Sequence, residues 1–159
     1  MESRSQNGGI VILSGTKSVT YTPPTGLTGL DHFNYTVSNN QGLATAQVTV
    51  DINAQPIAVG DAVNTYINTS ANTGNILLND QDTNGDILIV GAFGSASVQA
   101  GSVSYNGDGS VRYEPPDNFE GKDSFDSIIN DGRGGSAAAT VFISVINQVL
   151  GDDNRFLPF

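Results

Sequence analysis

The chain has 159 residues, 38% of them hydrophobic and 14% charged, with a formal net charge of −10 from sixteen acidic and six basic side chains. That balance repels a phosphate backbone, so no nucleic-acid partner is expected, while divalent cations suit it. Cysteine is absent, which excludes disulfides and thiolate metal sites, and no run approaches the roughly 18 apolar residues of a membrane helix, so no membrane insertion is expected.

Residues 1–6 lack the apolar core of a signal peptide; an extracellular placement therefore requires an export signal outside this stretch. Residues 9–33 then lie without a gap over residues 101–125, at an offset of 92 that sets Ser18 against Ser110, and eleven of the 25 positions are identical. Tyr21/Tyr113, Pro23/Pro115, Pro24/Pro116, Gly29/Gly121, Asp31/Asp123 and Phe33/Phe125 are among them. A fixed internal period marks an array of modules, and arrays commonly set length and spacing.

No segment has sustained helical periodicity; alternation of period two dominates instead. Phe33, Tyr35 and Val37 alternate with polar residues, as do Ala44, Ala46, Val48, Val50 and Ile52. Asn39-Asn40-Gln41-Gly42 joins the two runs as a hairpin turn. Asn53-Ala54-Gln55-Pro56 reads as a short linker. Strands are predicted next over 57–59, 62–67, 75–77, 87–93, 103–105 and 111–114, followed by a second hairpin through Asp131-Gly132-Arg133-Gly134-Gly135. That count of short strands predicts an all-β fold, with residues 54–147 as one complete immunoglobulin-like sandwich. Its expected core is Ile76, Leu88, Val90, Tyr113, Phe119, Phe125, Ile129, Val141 and Ile143.

Residues 1–53 hold only the back half of such a module, too little to bury a core alone. They are expected to be poorly ordered in isolation or completed by another chain, head to tail. Residues 148–159, where Gly151-Asp152 echoes Gly60-Asp61, read as a linker or the start of a further repeat.

Leu77-Leu78-Asn79-Asp80-Gln81-Asp82-Thr83-Asn84-Gly85-Asp86, the tyrosine–diproline strand, Gly121-Lys122-Asp123-Ser124-Phe125 and the Asp131 turn together resemble the bacterial cadherin-like tandem repeats. These are immunoglobulin-like modules of large secreted and surface proteins, type I secreted adhesins included. The resemblance covers residues 56–147 in full and 9–53 for the back half. It implies a stalk or spacer on the bacterial cell surface, with calcium at turns and junctions and neighbouring repeats as partners. Two departures stand out: Ser127 where the family usually has an aromatic, as the first copy has Tyr35, and Asn39-Asn40 where the second copy has Asp131-Gly132.

Calcium takes six to eight oxygen ligands, and Asp80, Asp82, Asn84 and Asp86 offer alternating donors around Gly85. The twelfth position is Gly91, not Glu, so the loop is no EF-hand. Asp61 is the candidate extra ligand. A turn whose carboxylates cap backbone amides is the alternative reading. Asp31, Asp123 and Asp131 are expected to serve turns in that way. His32, the single histidine, falls on a strand face, and no enzyme activity is expected. Ile128 and Phe142 fall on the outward phase of their strands, where they could form a small contact patch. Two further functions fit the same residues: a module binding carbohydrate or another surface ligand, and an accessory domain of a secreted hydrolase.

Overall fold

The computed structural model describes residues 3–15 and 17–148. They form eleven β-strands and no helix. Two compact units result. The first comprises the described residues up to Gln55 together with Asp82–Asp86; the second comprises Pro56–Gln81 and the described residues from Ile87 onward.

In the first unit, β1 (Ile10–Ser14) pairs with β2 (Ser18–Thr22), and β3 (Gly29–Asn39) with β4 (Gly42–Ile52), both antiparallel. The β3–β4 turn closes as expected: the Asn39 side-chain oxygen accepts the N–H groups of Gln41 and Gly42 at 2.8 and 3.1 Å.

The second unit adds β5 (Asp61–Tyr66), β6 (Ala71–Asn75), β7 (Ile89–Phe93), β8 (Ser102–Tyr105), β9 (Ser110–Glu114), β10 (Gly121–Asn130) and β11 (Ser136–Ile146). They form a four-stranded sheet in the order β5-β11-β10-β7 and a three-stranded sheet in the order β6-β9-β8. Strand β5 runs parallel to β11; every other pair is antiparallel. The alternation in β9, β10 and β11 sends Val111, Tyr113, Phe125, Val141, Ile143 and Val145 into one core with Ile76 and Val103. Val63, Ile67, Val90, Phe93 and Phe119 pack against it, partly buried. Two layers with inward alternation are an immunoglobulin-like sandwich.

Three strand and core assignments need correction. The strand expected over 75–77 lies at Ala71–Asn75 instead. Its Ala-Asn-Thr-Gly-Asn sequence has no apolar alternation and gains strand geometry only by pairing with β9 across a register shift. The strand expected over 57–59 reduces to a single bridge between Ile57 and Gln81. Leu88 is only half-buried and precedes β7, whose register slips beside Gly91 so that Ile128 and Ile129 face Ala92 and Val90.

Ser127 is buried, its hydroxyl donating to the Ala139 carbonyl at 3.4 Å. Its register partner on β7 is Phe93, whose ring tilts against Tyr105 with centroids 5.9 Å apart. The aromatic missing at 127 is thus supplied from the neighbouring strand. Among the described residues β3 pairs with β4 alone, and the first copy keeps its ring at Tyr35.

Candidate functional site

The most completely built polar group in each unit is a buried aspartate. In the second unit, Asp123 Oδ2 accepts from Ser97 Oγ at 2.5 Å and from the Tyr113 hydroxyl at 2.7 Å. Its Oδ1 accepts the N–H groups of Gln99 and Ser124 at 2.9 and 2.8 Å. The first unit repeats this with Asp31: Ser5 and Tyr21 donate to Oδ2, the latter at 2.7 Å, and the N–H groups of Asn7 and His32 donate to Oδ1 at 3.0 and 2.7 Å.

Burial by itself would raise both carboxyls. The two hydroxyls and two amides outweigh it, holding Asp31 down at about 2 and Asp123 below its ordinary value. Burial and the adjacent carboxylate push Tyr21 and Tyr113 upward. The arrangement fixes a loop; it leaves no carboxylate lone pair aimed at solvent chemistry. The expected turn role of Asp31 and Asp123 agrees with this. Asp131 caps its own hairpin in the same way, accepting from the N–H groups of Arg133 and Gly135 at 2.8 and 2.9 Å.

The loops that carry Ser5 and Ser97 were not among the residues expected to match, because the ungapped identity begins at Gly9. The structure extends the equivalence back to Ser3. The N–H of Val11 meets the Ser3 carbonyl as that of Val103 meets Ser95, and the bridge Arg4–Ile10 recurs as Ala96–Ser102. Gly8 has φ of +90° and Ala100, at the same place, +66°. The signal was present in the sequence: Ser3/Ser95 and Ser5/Ser97 keep the offset of 92.

The five candidate cation ligands divide between the units. Asp61 and Asp80 belong to the second. There the Asp80 side chain accepts the Val59 N–H at 2.8 Å, and Asn79 donates to Asp61 at 3.2 Å. Burial and then the Asp80 charge raise the Asp61 carboxyl. Asp82, Asn84 and Asp86 belong to the first unit. Asp82 Oδ1 accepts the N–H groups of Asn84 and Asp86 at 2.8 and 3.2 Å, so the loop is an Asx-capped turn. Carboxylate oxygens of Asp82 and Asp86 lie within 4.8 Å of each other. Asp82 Oδ2 is buried with no hydrogen-bond partner among the described residues. Asn84 acts as a strap: its oxygen accepts the Ala54 N–H at 2.6 Å, and its amide donates to the Ile52 carbonyl at 3.2 Å.

His32 Nδ1 lies 3.1 Å from Thr49 Oγ1, across the β3–β4 pair. Phe142 and Ile128 are exposed, as their strand phase predicts. Phe142 borders a shallow cleft of about 300 Å³ with Ala62, Asn64, Lys122, Ser124 and Ser144. No helix of the described residues is long and apolar enough to cross a membrane.

No curated protein matches the chain. Among solved structures, an endo-fucoidan hydrolase of glycoside hydrolase family 107 is similar at 16% identity over 86% of this chain and 26% of its own, with a TM-score of 0.38. A nucleoside hydrolase-related hypothetical protein from Saccharophagus degradans, associated with carbohydrate metabolism, is similar at 18% identity over 60% of this chain and 26% of its own, with a TM-score of 0.42. The human mucin-like protocadherin EC1-2 fragment is similar at 17% identity over 86% of this chain and 78% of its own, with a TM-score of 0.36. The chain thus spans about a quarter of the length of these two hydrolase-type structures. The bacterial Ig domain matches twice in succession, over residues 2–52 and 53–144, and with the repeated aspartate network and the seven-stranded sandwich this places the chain in the bacterial Ig domain family.

Proposed function

We propose that this chain is a non-catalytic structural segment, a spacer of tandem immunoglobulin-like repeats in a larger extracellular bacterial protein of the adhesin kind. The observation that carries this reading is the duplicated aspartate network. Asp31 and Asp123, buried in their units, are each consumed by the same four fold-maintaining hydrogen bonds. An array built this way transmits length and position. His32 sits beside a threonine on a strand pair, without the buried acid partner that a triad would need to orient its ring.

Calcium belongs to this proposal at Asp82 and Asp86. The unpartnered, buried Asp82 Oδ2 supports it, since a buried carboxylate oxygen without a donor is costly and a hard cation satisfies it. Bound there, the ion would hold residues 82–86 against the segment that Asn84 already straps at Ile52 and Ala54. Asp61 and Asp80 belong to the second unit, where their like charges repel each other, and they would serve a separate cation.

Thermal unfolding in calcium and in chelator is the test. Calcium should raise the midpoint through mass action, and the rise should vanish in the Asp82→Ala, Asp86→Ala double variant. Midpoints that ignore both calcium and chelator would reduce the loop to a turn.

A second reading, glycan binding, is favoured by one feature: the exposed Phe142 ring beside the hydroxyl and amide groups of Ser124, Ser144 and Asn64. Binding on a glycan array, lost in Phe142→Ala, would establish it over the pure spacer.

A further inference from the structure

Three Asn-Gly steps occur in the chain: Asn7-Gly8, Asn84-Gly85 and Asn106-Gly107. Such a step invites deamidation, because glycine has no Cβ to shield its nitrogen from the preceding side chain. The reaction needs two free groups, the glycine N–H as nucleophile and the asparagine carboxamide as electrophile. The fold engages both at two of the three steps. The Gly85 N–H donates to the Asp82 carbonyl at 3.2 Å. The Asn84 carboxamide is held on both sides, its oxygen by Ala54 and its nitrogen by Ile52 and Asp51. The Gly8 N–H donates to the Ser5 carbonyl at 3.1 Å, and the Asn7 carboxamide donates to the Leu30 carbonyl at 3.1 Å.

The third step is built differently. Asn106 and Gly107 lie exposed at the tip of the β8–β9 hairpin. Gly107 has φ of +89° and open space where a Cβ would stand. Its N–H has no hydrogen-bond partner among the described residues. The Asn106 carboxamide donates to Ser110 Oγ at 2.8 Å and to Asn72 Oδ1 at 3.4 Å, while its oxygen has no donor among the described residues. The first copy has Ser14-Gly15 at this place, so the second copy alone carries the step.

We propose that Asn106 is a site of spontaneous deamidation in the native protein, and that its conversion loosens the β6 edge. The Gly107 nitrogen attacks Asn106 Cγ, the Cγ–Nδ2 bond breaks, and Nδ2 leaves as ammonia with the Gly107 proton. Solvent water then opens the cyclic imide at either carbonyl, giving aspartate or isoaspartate; nothing is oxidised or reduced. The product lacks the donor that tied the hairpin to Asn72 on β6. Its new carboxylate faces the Asn72 oxygen, an acceptor without a proton to offer it. It also meets the charge of Asp108, whose Oδ1 accepts from the same Ser110 hydroxyl at 2.6 Å. Strand β6 has little else to hold it, because it pairs with β9 only across a register shift. This proposal is independent of the spacer, calcium and glycan readings.

The test needs no substitution. The full chain is held in mildly alkaline buffer made with heavy-oxygen water, and peptide mapping by mass spectrometry follows the label at all three asparagines. The same chain in concentrated urea, where every step is open, is the reference, and there the three should react at similar rates. In the native protein Asn106 should stay close to its rate in urea. Asn7 and Asn84 should fall behind by about tenfold or more, the factor set by a local opening free energy of about 1.4 kcal/mol. The deamidated form, separated by anion exchange, should exchange its β6 amides faster and those of β10 and β11 at the original rate. The proposal is overturned if native Asn106 reacts as slowly as Asn84, or if native Asn7 and Asn84 react as fast as they do in urea. Unchanged β6 exchange in the deamidated form would overturn the loosening.

Discussion

The Tyr113 hydroxyl donates to Asp123 Oδ2 at 2.7 Å, tying the end of β9 to the start of β10 through the floor of the second unit. The tyrosine is fully buried, so neither partner can fall back on bulk water if the other is removed. The same pair recurs as Tyr21 and Asp31, at the same distance.

Tyr113→Phe removes one of four donors from a buried carboxylate and leaves the ring in place. A hydrogen bond to a charged group contributes about 1.5–3 kcal/mol. The unfolding midpoint of the second unit should fall by roughly 4–8 °C for each kcal/mol lost. Tyr21→Phe should destabilise the first unit in the same way, because Asp31, the carboxylate left short of a donor, is itself fully buried. Urea titration of both variants, read by probes specific to each unit, checks this; a variant that unfolds at the unsubstituted midpoint would contradict it.

Acid should weaken the fold through the same two aspartates. Their folded pKa values are depressed, Asp31 to about 2, against about 3.9 unfolded. The stability they contribute is full above pH 4 and is lost as pH falls through the folded values. The isoelectric point is about 4.1, so growing positive charge below it also destabilises the fold. Asp108 and Glu114, lowered as well, lose stability in the same range. The share carried by the network is the part of the loss that disappears in Asp31→Asn and Asp123→Asn. The tyrosines act at the other end. Their raised folded values give stability that is full below about pH 10 and is lost as pH rises through those values. Urea midpoints across both ranges test this, and a flat profile would count against it.

Ala100→Gly should stabilise the second unit. Ala100 is exposed and holds φ at +66°, where the first copy has Gly8. The left-handed conformation costs a non-glycine residue about 1–2 kcal/mol, against about 0.5–1 kcal/mol of extra unfolded-state entropy for glycine. A net gain of about 0.5–1 kcal/mol should appear as a higher midpoint by calorimetry.

Gly101→Ala should do the reverse. A methyl group there would lie 2.5 Å from Tyr113 Cε2 and 2.8 Å from the Glu114 carbonyl oxygen, a rigid ring and a backbone atom that cannot yield cheaply. Overpacking of this kind costs about 1–3 kcal/mol. Gly9→Ala meets Tyr21 in the same way in the first unit. Chemical denaturation of the two variants should show a loss in both.

What the sequence determined by itself is the local and periodic part. Alternation along 33–52 and 125–145 defines the two long hairpins, because inward and outward positions in a strand are fixed by a period of two. The offset of 92 identified Tyr113, Asp123 and Phe125 as one repeated construction with Tyr21, Asp31 and Phe33. Tertiary structure decided the rest. Strand β6 has no apolar rhythm of its own and exists because β9 offers it an edge. Ser5 and Ser97 reach carboxylates 26 residues away, a separation that no local pattern encodes. Asp80, Asp82, Asn84 and Asp86 are continuous in sequence, yet alternate donors are drawn to different neighbours. Val59 takes Asp80, while Ile52 and Ala54 take Asn84. Whether a polar side chain becomes a cap, a strap or a ligand depends on which unsatisfied backbone groups the fold brings within about 3 Å of it, and those groups come from distant parts of the chain.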